Sequence, residues 1–79
     1  MKPTTLPDTF PTHPTDETIA GARAWLLEAC EIDGVEPTPK NLLDIAREHA
    51  PIVRSIPGSA FGVIADSLIL AAEEAQHGN

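Results

Sequence analysis

Proline sets the limits of this chain before any other residue does. It occurs eight times in 79 residues, and each copy removes a backbone donor and fixes φ, so helix interiors and central strands avoid it. Pro3, Pro7, Pro11 and Pro14 crowd into "MKPTTLPDTFPTHP". Residues 1–14 therefore read as an extended or disordered leader, with Leu6 and Phe10 available for docking. The remaining prolines fall at 37, 39, 51 and 57, and the stretches they delimit carry helical spacing.

The first helix is expected over 16–31. Thr15 is a good N-cap, and Asp16 and Glu17 place negative charge at the positive end of the helix dipole. Ile19, Ala22, Leu26, Ala29 and Cys30 recur on one face, flanked by Trp25 and Leu27, with Glu17, Ala24, Glu28 and Glu31 opposite. Gly34 within "EIDGVEPTP" ends it. A second helix is expected over 39–49, with Thr38 as cap and Pro39 in the first position, where a missing N–H costs nothing. Its apolar side is Leu42, Leu43, Ile45, Ala46 and His49; Lys40, Asp44, Arg47 and Glu48 face away. Pro51 stops it or opens a short fourth turn over "PIVRSI". Pro57-Gly58 is a turn signal, Ser59 a cap, and 59–76 a third helix closed by Gly78.

These elements predict an all-α, three-helix bundle over 15–79, with Leu26, Cys30, Leu42, Ile45, Phe61, Ile64 and Leu68 buried together. The third helix is unusual. Phe61, Ile64, Leu68, Ala71, Ala72 and Ala75 make one stripe, Val63 and Leu70 lie about half a turn away, and Ile69 lies off both. A helix that is apolar on several sides has neighbours on several sides. A domain this small buries little core alone, so Val63, Asp66, Ile69, Leu70, Glu73 and Glu74 form a candidate partner or homodimer interface on the third helix.

Charge narrows the function classes. Twelve acidic residues against five basic ones give a formal charge of −7, a field that repels phosphate backbones and anionic lipid and suits a basic protein surface. The single Cys30 excludes an intrachain disulfide and suits a reducing compartment. No basic start leads into an apolar run, and no 18-residue apolar stretch exists. A cytoplasmic protein is expected.

Catalytic and cofactor chemistry finds little purchase. Asp66-Ser67-Leu68 has the form of the attachment tripeptide of carrier proteins, which bear phosphopantetheine on the serine. In those proteins the serine opens a mid-domain helix with two more helices following, whereas twelve residues follow Ser67. Ser67 is therefore read as a surface or seam serine. His13, His49 and His77 share no metal-ligand spacing with each other or with Cys30. Cys30 sits on an apolar face as a small hydrophobe. His49 belongs to a helix end, where it satisfies carbonyls, and a Cys30–His49 pair would lack an orienting third group. No metal, cofactor or enzymatic activity is expected.

The run "WLLEACEID…TPKNLLDIARE…SAFGVIADSL", residues 25 to 68, resembles the small C-terminal helical domain of phage- and plasmid-type primase-helicases. The resemblance implies helix-turn-helix-like geometry with a DNA-facing third helix and a wing. Here Ser59 to His77 holds no Lys or Arg, and a groove-reading helix needs such donors. No strand pair follows to form a wing. The expected function is thus that of a small acidic protein bound to a larger basic protein partner. Phage or mobile-element inhibitors, anti-CRISPR-like proteins and nucleic-acid mimics work in this way. The alternative is a trimmed helix-turn-helix regulator or a structural subunit of a larger assembly.

Overall fold

The computed structural model describes residues 11–77. The chain forms α1 (Asp16–Asp33), α2 (Pro39–Arg54) and α3 (Ser59–His77), an all-α three-helix bundle. The leader expected over 1–14 lies outside the described residues for its first ten positions. Residues 11–15 are described and precede α1 without helical structure.

Capping chemistry explains the helix starts and stops. The Thr15 hydroxyl accepts from the Thr18 N–H, and the Thr18 hydroxyl accepts in return from the Thr15 N–H at 2.7 Å. This is a capping box in which threonine takes the place usually held by Glu or Gln. At the other end Gly34 adopts φ 72°, and the N–H groups of Gly34 and Val35 return to the carbonyl of Cys30. Glycine reaches that left-handed geometry without steric strain, which carries α1 two residues beyond the expected end. Thr38 caps α2 by accepting from the Asn41 N–H, with Pro39 in the first turn.

Pro51 does not stop α2, which continues to Arg54. The ring lies on the exposed side, and only the bond that an N–H at 51 would give to the carbonyl of Arg47 is forgone. Ser55 then closes the end through its N–H to the carbonyls of Pro51 and Ile52.

The core joins Ala22, Leu26 and Cys30 of α1, Leu42, Ile45 and Ala46 of α2, and Leu68, Ala71 and Ala72 of α3. Leu68 is fully buried at its centre. Because α3 packs against both other helices, its buried arc covers more than the single stripe expected. Val63 is only 6% exposed and Ser67 is fully buried, one turn apart on the side that meets α1. Ala65, Leu68 and Ala72 are buried too. The widened arc overturns two expectations. Phe61 and Ile64 are half-buried at its margin, and Val63 is not part of an outward ridge.

Ser67 occupies the seam. Its hydroxyl lies 2.8 Å from the carbonyl of Val63 and 2.9 Å from the Thr18 hydroxyl. A carbonyl only accepts and each hydroxyl carries one proton, so Ser67 either donates to the Val63 carbonyl and accepts from Thr18, or donates to Thr18 alone. The α1 cap and the buried face of α3 are thereby one network. Ion pairs Arg23–Glu74 and Arg54–Asp66, and a 2.6 Å bond from the Gln76 amide to the Pro39 carbonyl, tie the helices at the periphery. Among the described residues, no helix is long and apolar enough to cross a membrane.

Candidate protein-docking face

Within "EIDGVE", residues 31–36, acids bracket apolar side chains: Glu31, Ile32, Asp33, then Gly34, Val35 and Glu36. The end of α1 and its left-handed turn hold this segment against the first half of α2. Ile32 is 78% exposed, the most exposed large hydrophobic among the described residues, and Val35 is also exposed. Beside them a shallow cleft of about 210 Å³ is lined by Asp33, Val35, Asn41, Asp44, Ile45 and Glu48. Three carboxylates thus surround an aliphatic floor.

Helical spacing extends this face along α1. Trp25, Glu28 and Ile32 stand at i, i+3 and i+7, so they share one side of the helix. Trp25 meets His49 of α2 edge-on, with ring centroids 5.2 Å apart and planes 88° apart. That geometry suits the aromatic quadrupole and fixes the indole at the rim. His49 Nε2 lies 3.8 Å from Glu48. The expected helix-end role for His49 is replaced by this aromatic contact, because α2 runs on for another turn.

Carboxylates here have few internal partners. Among the described residues, Lys and Arg pair only with Asp44, Asp66 and Glu74. Glu28, Glu31, Asp33 and Glu36 are exposed and meet no Lys or Arg among the described residues. Cys30, one turn inside, is buried. Burial pushes its thiol pKa up, and the nearby Asp33 carboxylate adds to the rise. A raised thiol is a poor nucleophile, in keeping with its reading as a core residue.

Of the six residues proposed from sequence as an interface, Asp66, Ile69, Leu70 and Glu73 share the outward side of α3, whereas Val63 and Glu74 do not. Val63 is core. Asp66 and Glu74 are half-exposed and engaged by Arg54 and Arg23. Ile69 is half-buried against the core, Leu70 is 37% exposed, and Glu73 is exposed. Ile32 and Val35 were invisible to stripe counting because they belong to the helix end and the turn beyond it. The signal that could have found them is the alternation of acid and aliphatic residues in "EIDGVE". The chain matches no protein-family model, no curated protein and no solved structure.

Proposed function

We propose that this chain is a small acidic binding protein that docks on the basic surface of a larger protein through the α1–α2 end. The observation that carries this reading is Ile32, exposed to 78% and flanked by acids that lack basic partners within the described residues. Exposed aliphatic side chains become binding anchors when they insert in a partner's pocket, and a charged rim steers the approach. A face of this kind suits an inhibitor that competes with nucleic acid for a cationic cleft, its carboxylates lying where phosphates would otherwise bind. The DNA-reading alternative is less supported, since the outward stripe of α3 is Asp66, Leu70 and Glu73.

The test is affinity capture from the source cells with the wild type, Ile32→Asp and a Glu31→Lys/Glu36→Lys pair. A basic protein retained by the wild type and lost with both variants supports the reading. It is refuted if retention is the same for all three, or if duplex DNA binds the purified protein at moderate salt.

A further inference from the structure

The opposite flank of α2 is built differently. Lys40, Arg47 and Arg54 recur every seven residues, just under two turns each, so they form one stripe along the helix. They are three of the four Lys and Arg among the described residues. Across from them α3 presents Asp66, Leu70 and Glu73. Between the two walls runs an open groove of about 580 Å³, lined by Arg47, Ala50, Pro51, Arg54, Ser55 and Ile69. It continues past Arg54 and Ile69 into a second hollow of about 420 Å³ that Pro14, Asp66 and Leu70 also line. The groove therefore has a basic wall and an apolar floor, with Asp66 on the wall of its extension; Glu73, one turn from Ile69, stands outside both linings on the same exposed stripe of α3.

We infer that a second copy of this chain covers the groove, with α2 of each copy laid along α3 of the other about a two-fold axis near Ile69. An isologous interface has to be complementary to itself, and a patch with cations on one side and carboxylates on the other meets that condition. The helices run antiparallel, as the Arg54–Asp66 pair near the turn and the Gln76–Pro39 bond at the far end require. A two-fold rotation normal to such a pair exchanges the walls.

With the axis level with Ala50 and Ile69, Arg47 stands about one turn to one side. Rotation brings it to the level of Asp66, and brings Arg54 to the level of Glu73. Asp66 then sits between its own Arg54 and the partner's Arg47. Among the described residues, Arg47 and Glu73 have no opposite charge in the single chain; the second copy supplies one for each. Pairing α3 directly on α3 would instead oppose like charges. The Ile32 cleft lies on the other side of α2 and stays open, so this inference does not rest on the proposed partner, and the dimer would present that face twice.

Sedimentation equilibrium into the high micromolar range tests the inference with the wild type, Arg47→Glu, Glu73→Arg and the control Glu17→Arg. The wild type is expected to be a dimer. Arg47→Glu and Glu73→Arg should each weaken it at least about ten-fold, because the lost contact occurs twice. Glu73→Arg is the decisive variant. It lowers the net negative charge, which would strengthen any association limited by general repulsion, whereas the specific pairing requires weakening. Glu17→Arg makes the same charge change on α1 and should leave the dimer as tight or tighter. Helical circular dichroism confirms that each variant remains folded. A monomeric wild type, or a Glu73→Arg dimer as tight as the wild type, overturns the inference.

Discussion

Leu68 and Ile64 are isomeric side chains one turn apart on α3, and the structure assigns them different energetic weight. Leu68 is fully buried among residues of all three helices. Truncation to alanine removes its buried apolar atoms and leaves a cavity that the surrounding helices can only partly close. Such sites lose about 3–5 kcal/mol. Ile64 is half-buried and lines a dimple of about 220 Å³ beside Trp25 that is open to solvent. Water enters the space vacated there, so the loss reduces to partial transfer of the side chain, about 1–2 kcal/mol. A domain of this length has a total stability of about 3–10 kcal/mol. Leu68→Ala therefore removes a large share of it and lowers Tm by at least about 12 °C. Urea denaturation followed by helical circular dichroism reads both variants, with equal m-values as the condition for comparing them. Equal losses for the two alanine variants, or a loss below about 1 kcal/mol for Leu68→Ala, would refute the assignment of Leu68 to the bundle centre.

Three further outcomes follow from caps, turn and thiol. Thr15→Ala removes the N-cap acceptor of α1 and should lower stability by about 1 kcal/mol in the same denaturation assay. Gly34→Ala meets no atom within 4 Å of the added Cβ, so its loss, again about 1 kcal/mol, comes from the positive φ alone and should be matched by Gly34→Ser. The Cys30 thiol is raised above its ordinary value of 9.0 by burial first and Asp33 second. The unfolded chain therefore loses that proton at lower pH than the folded one. Cys30 makes its full contribution to stability below the unfolded thiol's pKa, and that contribution falls as pH rises toward the folded value. Denaturation midpoints measured up the alkaline range should show this decline, and Cys30→Ala should lack its thiol component.

Much of the fold was legible because the relevant signals are local. Thr15, Thr38, Pro39 and Gly34 mark helix boundaries through backbone chemistry that depends on few neighbours, and the core faces of α1 and α2 follow from spacing. The extent of α2 was harder to read, since a proline with its ring on the exposed side removes one bond without breaking the helix. On α3, periodicity located an apolar helix but not which arc would be covered. That depended on α3 packing against both α1 and α2, a tertiary arrangement that its own spacing does not encode. Val63 was therefore placed outside although it is buried, and Phe61 and Ile64 fully inside although they are half-buried at the margin. Sequence left Ser67 as a surface or seam residue, because its partner Thr18 lies 49 positions away and carries no sequence mark of the contact. The proposed docking face escaped for a related reason: Ile32 and Val35 stand out through exposure, and exposure is a tertiary property.

Site-specific photo-crosslinking in the source cells tests the binding role most directly, with the crosslinking side chain placed at position 32 in one variant and at position 56 in another. Both Ile32 and Ile56 are exposed, so solvent access alone does not separate them, while only position 32 belongs to the acidic face. A discrete adduct with a basic protein is expected from position 32, abolished when Asp33→Lys and Glu36→Lys are added, and no such adduct from position 56. An adduct with nucleic acid, or a protein adduct from position 56 alone, would contradict the proposed binding role.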